Sequence, residues 1–372
     1  MGKIVISGYY GFNNVGDESI LTAIVNNLKD SIKDIEITVL SVNPESTSQK
    51  HKINAIDRKN IFQIYKAIKN CEVFISGGGS LLQDVTSGRS ITYYLVIIFM
   101  AIILRKKVLI YSQGIGPINK WFNKYMVQWV LNKVDCISVR DEKSKELLKK
   151  IGVYTPDIYV TADPVISLKQ GNKKTGREIL TKEGMDHQSE KPLIGFAIRG
   201  WRDNDEFLSN ICKTADKLIE HSNVDVVFIP FHFGEDIKIL EEIAHKMEQK
   251  AFFIKNKYDI EEMLGIVGNL DLLVGVRLHS LIFAAIMNVP IIAISYDPKI
   301  DSFMKSLQLK TLCSTEGLNY VDLILEIELI QKKHEAYKNI LTQRVKKLQE
   351  KARINEKLVI ELLKKGRHQR EE

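Results

Sequence analysis

Cysteine is scarce in this 372-residue chain, and the four present, Cys71, Cys136, Cys212 and Cys313, form no CxxC pair and have no histidine at ligand spacing. That argues against a disulfide framework or a structural zinc and fits a reducing compartment. Proline (8) and glycine (22) are too few for a collagenous or disordered chain; 45% hydrophobic and 27% charged residues suit a globular protein with large cores. Long apolar runs are absent too. The longest, Ile91 to Leu104, covers fourteen residues before Arg105-Lys106-Lys107, short of the roughly 18 to 20 that cross a bilayer. It reads as a crossover helix buried against a sheet, with shallow membrane contact as the other reading. The chain runs from Lys3 straight into Ile4-Val5-Ile6, without the apolar stretch and cleavage site of a secretory signal, so a cytoplasmic protein is expected. HExxH, GxSxG and P-loop motifs are missing, no His, Asp or Glu set has metal spacing, and no internal repeat of about 20 to 50 residues occurs.

Basic charge is confined rather than spread. The net +7 is matched by residues 332–372, which hold thirteen Lys/Arg and six Asp/Glu, while the remainder carries forty of each sign. In that tail Leu341, Val345, Leu348, Ala352, Val359 and Leu362 recur at nearly alternating spacings of four and three, broken at Asn355. The period predicts a long amphipathic helix with a basic outer face. A solvated helix packed back on the body and a helix resting on anionic lipid headgroups both fit. Nucleic-acid binding does not, because the body is neutral and no recognition motif appears.

What is present is a rhythm. Short β-branched runs at Lys3–Ser7, Glu36–Ser41, Glu72–Ser76, Val108–Ser112, Cys136–Val139 and Ile158–Thr161 alternate with helical patterns, the first from about Glu18. Such spacing predicts right-handed βαβ units on a parallel sheet. The rhythm lapses over the polar residues 170–191, with a short helix possible near Arg177–Leu180, then resumes at Leu193–Ile198, Val224–Ile229, Ala251–Ile254, Leu270–Gly275 and Pro290–Ser295. The expected fold class is α/β: two Rossmann-like doubly wound domains facing a cleft, GT-B-like. The expected boundaries are 1–169, a linker 170–191, 192–328, and a basic amphipathic helix 329–372.

Sheets of this kind bind ligands beyond the carboxyl ends of their strands, where loops converge and helix N-termini point N–H groups outward. The first such exit, Gly8 to Ser19, is glycine-rich but is not GxGxxG; its Asp17 would repel phosphate, and reads either as a helix cap or as a carboxylate that accepts a proton from a substrate hydroxyl. Ser76-Gly77-Gly78-Gly79-Ser80 and Ser112-Gln113-Gly114-Ile115-Gly116-Pro117 pose one question each, ligand contact or close packing. Arg140 precedes Asp141 and Glu142, so it is a surface ion pair or a guanidinium fork for an anion. Arg199 occupies the matching exit in the second series. The densest set is Arg277-Leu278-His279-Ser280, followed one βα step later by Tyr296-Asp297-Pro298-Lys299; it could place three cations on one wall, although a lone histidine is more often structural. His232 is a weaker candidate at the neighbouring exit.

Taken together, Gly8–Leu21, Ser76–Asp84, Ser112–Pro117, Val139–Ser144, Ala162-Asp163-Pro164, Arg277–Ala285 and Ser295–Lys299 resemble the polysaccharide pyruvyl transferase family, most closely its CsaB type, over residues 1 to about 300. The resemblance implies a GT-B-like fold and phosphoenolpyruvate as co-substrate with no further cofactor. It implies an N-acetylmannosamine acceptor on an undecaprenyl-diphosphate-linked disaccharide, in synthesis of a cell-wall polysaccharide of the kind that anchors S-layers. The family's essential Arg, His and Lys match Arg140, His279 and Lys299, and its N-terminal acid matches Asp17. Arg277, Arg199, Gly78, Gly79, Ser80, Gln113, Gly114 and Ser280 are then candidates for substrate binding. Two other classes compete: a GT-B glycosyltransferase using a nucleotide-sugar donor, which would share the architecture, and a noncatalytic polysaccharide-binding or scaffold protein. Peripheral contact with the membrane surface would suit a lipid-linked acceptor.

Overall fold

The alternation of β-branched runs and helices becomes two sheets, each parallel throughout. The structure is a computed structural model that describes residues 2–12, 14–85, 88–186, 189–200 and 205–371. Asn13 of the first glycine-rich loop and His187-Gln188 of the polar segment lie outside the described residues. Two compact units result: residues 1–13, 17–167 and 348–372, and residues 14–16 and 168–347.

The first unit runs β1 (Gly2–Ser7), α1 (Val15–Ser31), β2 (Ile35–Ser41), α2 (Pro44–His51), β3 (Asn54–Asp57), α3 (Ile61–Asn70), β4 (Val73–Ser76), α4 (Gly88–Ile103), β5 (Lys107–Gln113), α5 (Trp121–Leu131), β6 (Cys136–Val139), α6 (Glu142–Lys150) and β7 (Ile158–Val160). Its sheet has the order β3-β2-β1-β4-β5-β6-β7. Strands β4 and β6 are buried at every residue, as parallel strands covered on both faces must be, and so they read as unbroken apolar runs. Helices α3 to α6 cover one face, where Ile64, Ile98, Val127 and Leu148 meet Phe74, Ile110 and Ile137 in a single core. Because the order reverses at β1, the loops after β1 and β4 lie side by side at the switch point, where such folds take ligands.

The second unit contains α7 (Lys173–Lys182), β8 (Leu193–Ala197), α8 (Asp205–Ser222), β9 (Asp225–Phe228), α9 (Phe233–Lys246), β10 (Phe252–Phe253), α10 (Ile260–Val267), β11 (Leu272–Gly275), α11 (Leu278–Ile286), β12 (Ile291–Ser295), α12 (Pro298–Ser306), β13 (Cys313–Ser314) and α13 (Tyr320–Lys332). Its sheet order, β10-β9-β8-β11-β12-β13, has the same switch between β8 and β11. The chain ends in α14 (His334–Ala352) and α15 (Ile354–Glu371).

Two expectations change. Residues 170–191 are not plain linker: Asn172 caps α7 by accepting from Lys174 N at 2.9 Å, and α7 packs on α10 with Gly176 against Gly265, where a Cβ on Gly176 would lie 2.1 Å from the Gly265 carbonyl. The basic tail is not one helix either. Its periodic positions, from Leu341 to Leu362, are all buried, and the break at Asn355 is where the chain turns into α15. Asn355 is itself fully buried; its Nδ2 donates to Ala352 O at 2.8 Å and its Oδ1 accepts from Ser138 Oγ at 2.6 Å. A polar residue among apolar ones thus marks a hydrogen-bonded seat on β6.

Candidate active site

In the first unit the predicted residues gather at the carboxyl ends of β1, β4, β5 and β6. Arg140 follows β6 with a side chain only 7% exposed. Its Nη1 donates to Asp163 Oδ2 at 3.2 Å, its Nη2 donates to Ser80 Oγ at 3.0 Å, and its Nε lies 3.7 Å from Asp141 Oδ2. Asp141 is at the same time the cap of α6, accepting from Ser144 N at 2.8 Å. Arg140 is therefore a fixed fork rather than a solvated surface charge. Gly114 makes room for it: a Cβ there would lie 2.5 Å from Nη2 and 2.7 Å from Cζ.

Asp17 lies in the first turn of α1, close to the Gly79 backbone, where a Cβ would come within 3.3 Å of its Oδ1. Gly79 has φ +92° and its carbonyl accepts from Gly114 N at 2.9 Å, tying the two glycine loops together. Gly78 packs under Ile20, and Gln113 is fully buried, donating from Nε2 to Ser76 Oγ at 2.8 Å. Tyr10, which the sequence did not single out, is 1% exposed beneath Gly77; burial first, and the Asp17 carboxylate next, push its hydroxyl well above the ordinary tyrosine pKa. It stays a neutral phenol beside Asp17.

The second unit has its own set, at the ends of β8, β9, β11 and β12. Arg199 Nη1 donates to Tyr296 Oη at 2.7 Å, with the guanidinium 4.7 Å from the ring centre. Lys299 Nζ lies 5.5 Å from the same ring centre and 3.1 Å from Asp297 Oδ2. Tyr296 thus holds two cations near each other. Arg277 points elsewhere than toward Lys299: its Nη2 and Nε both donate to Asp236 Oδ1, the latter at 3.1 Å. Asp236, 1% exposed, also accepts from the Phe231 and His232 amides, so Arg277 neutralises a buried carboxylate. Ser280 donates from Oγ to Arg277 O at 2.7 Å and is buried, a bond internal to the start of α11. His279 lies against the Gly16 backbone, where a Cβ would be 2.1 Å from Nδ1. Glu235, 63% exposed, reaches 3.5 Å from Arg277 Nη2, 4.0 Å from Arg199 Nη2 and 3.7 Å from His232 Nδ1.

The profile of the family described as polysaccharide pyruvyl transferase matches residues 14–298, three quarters of the chain and inclusive of Asp17, Arg140 and His279. The chain belongs to that family. The chain is similar to amylovoran biosynthesis protein AmsJ of Erwinia amylovora, 20% identical over 367 residues that cover 84% of this chain and 88% of AmsJ. Among solved structures it is similar to Anabaena HepE in complex with UDP-glucose (TM-score 0.66, 12% identity, 98% of this chain and 100% of that one). It is similar also to UDP-GlcNAc 2-epimerase from Neisseria meningitidis bound to UDP-GlcNAc (TM-score 0.65, 11% identity, 98% and 100%). At such identities these likenesses show the fold alone, two Rossmann-like units of the GT-B-like class.

Proposed function

We propose that this transferase moves the pyruvyl group of phosphoenolpyruvate onto two hydroxyls of one sugar, forming a ketal during polysaccharide synthesis. The acceptor that the CsaB-type resemblance implies is N-acetylmannosamine on an undecaprenyl-diphosphate-linked disaccharide. The observation that carries the reading is the family match over residues 14–298. The chemistry of the two residue sets supports it. A donor with a carboxylate and a phosphate needs fixed cations, and Arg140 and Lys299 are proposed to hold it. His279 gives a proton to the enol methylene, which becomes a methyl group. Asp17 takes the proton of the first hydroxyl as its oxygen bonds to the central carbon. The C–O bond to phosphate then breaks, its electron pair leaves with phosphate, and the second hydroxyl closes the ketal as it loses its proton.

Phosphate release that depends on both phosphoenolpyruvate and acceptor tests the reading. His279→Ala and Arg140→Ala should each lower it by about 10² to 10⁴-fold; wild-type rates in both variants refute the roles. Thermal stabilisation by UDP-sugars but not by phosphoenolpyruvate would favour the glycosyltransferase reading instead.

Glu235 supplies a second test. An exposed carboxylate among Arg199, Arg277 and His232 sits where a ligand carboxylate or phosphate would be drawn. Glu235→Gln should lower KM for phosphoenolpyruvate by about two- to tenfold, the scale of one exposed charge contact, with kcat little changed. A raised KM would make Glu235 a partner that positions Arg277.

A further inference from the structure

Helices α3, α4 and α5 lie side by side on one face of the first sheet. Their inner sides fill the core, but their outer sides are not those of an ordinary surface helix. Phe62 is 85% exposed, Trp121 78%, Ile103 62%, Tyr125 56%, Phe122 53% and Val96 51%. Phe99 of α4 packs on Trp129 of α5 with ring centroids 4.7 Å apart, which joins these two helices on that side. A groove of about 530 Å³ runs beside α3 and α4, lined by Ile61, Ile64, Val96 and Ile97 together with Arg58 and Lys59. The next helix on this face, α6, turns Lys143, Glu146, Lys149 and Lys150 outward, so the apolar surface ends there.

The stretch that holds these three helices is rich in positive charge, although Lys107 within it is paired with Asp135 at 3.0 Å. Residues 58–133 contain eleven Lys/Arg and only two Asp/Glu, Glu72 and Asp84. Both acids are buried, and Asp84 is spent on the Asn119 and Lys120 amides and on Asn123. Whole-chain averaging hides this excess because acidic residues elsewhere offset it. Lys133 Nζ lies 4.9 Å from the Trp129 ring centre and Lys69 Nζ 5.9 Å from that of Tyr65, cations set among the aromatic side chains.

Exposed Trp, Tyr and Phe interleaved with Lys and Arg match a membrane interface, where amphipathic rings sit at headgroup level and cations meet lipid phosphates. A second copy of this chain would oppose the same positive face to itself across a two-fold contact. We propose that the α3–α5 face docks on the surface of an anionic lipid bilayer. The run Ile91–Leu104 then has both characters at once, one side buried in the core and the other inserted at the interface. The periodic apolar positions of the basic tail are buried, which leaves that segment only its charged side to offer. The proposal is independent of the donor chemistry.

Vesicle flotation of the full chain, without substrates, tests it. Wild type should float with phosphatidylglycerol-containing vesicles and not with pure phosphatidylcholine, and salt should release it. The double variant Trp121→Glu, Phe122→Glu changes only exposed positions and should keep its unfolding temperature while binding about tenfold or more weakly. Lys364→Gln with Lys365→Gln, in the tail, should bind as wild type. Undiminished binding by the Trp121/Phe122 variant, or loss confined to the tail variant, overturns the proposal. So does a wild type that dimerises through this face and ignores vesicles.

Discussion

Gly16→Ala and Gly114→Ala should each lower phosphoenolpyruvate-dependent phosphate release by about 10²-fold, the scale of an ångström of misplacement at a reacting group, while the protein remains folded. The cause differs from the usual glycine argument, since neither residue has a positive φ in the structure. A Cβ on Gly16 would stand 2.1 Å from His279 Nδ1, and one on Gly114 would stand 2.5 Å from Arg140 Nη2. Each methyl group therefore displaces a proposed functional side chain. Relieving that overlap costs some stability as well, so the unfolding temperature is measured alongside turnover, and the loss of turnover should be larger than the fall in stability accounts for. Coupling sharpens the test: in an Arg140→Lys background, Gly114→Ala should add little further loss, because the ammonium group leaves the space that the guanidinium filled. Wild-type turnover in both alanine variants would mean that the positions of His279 and Arg140 do not matter to the reaction.

These glycines also show how far the sequence could be read. Its loops were visible because parallel strands buried on both faces stand out as apolar runs, and whatever follows each run is a candidate for the site. The choice between ligand contact and packing was open from sequence; in the structure Gly78 lies against Ile20 and Gln113 Nε2 donates to Ser76 Oγ. For Gly114 and Gly16 the packing partner is itself a proposed functional side chain, Arg140 or His279, and no local spacing announces a contact across 263 residues. The carboxylates that fix the arginines were hidden for the same reason: Asp163 and Asp236 lie 23 and 41 residues from the cations they hold. Strands β3 and β13, at sheet edges, are short and partly exposed, so they carried no continuous apolar signal. In α7 a glycine at 176 looks like a helix breaker until the α10 backbone is seen lying against it.

Removing residues 348–372 should unfold the first unit rather than trim a tail. Leu358, Val359, Leu362 and Leu363 of α15 are each at most 5% exposed, and α15 packs on β4 and β5. At roughly 1.5–3 kcal/mol per buried side chain the four contribute about 6–12 kcal/mol, as much as a whole domain's net stability of about 5–15 kcal/mol. A chain ending at Lys347 that unfolds cooperatively at the wild-type temperature would sink this account. Asn355→Leu, which removes the nearer of two acceptors of Ser138 Oγ and the donor to Ala352 O, should cost about 1–3 kcal/mol. Its neighbour Glu356 should behave in the opposite way. Burial is the largest influence on it and raises its pKa above 4.5, against the Tyr111 hydroxyl that donates to Oε1 at 3.2 Å. The folded state thus keeps the proton longer than the unfolded one, so this residue's contribution is complete below pH 4.5 and declines as pH rises through the folded value. Glu356→Gln should therefore raise the unfolding temperature at pH 7 relative to wild type and leave it nearly unchanged at pH 4. A variant less stable than wild type at pH 7 would mean that the bond from Tyr111 outweighs burial.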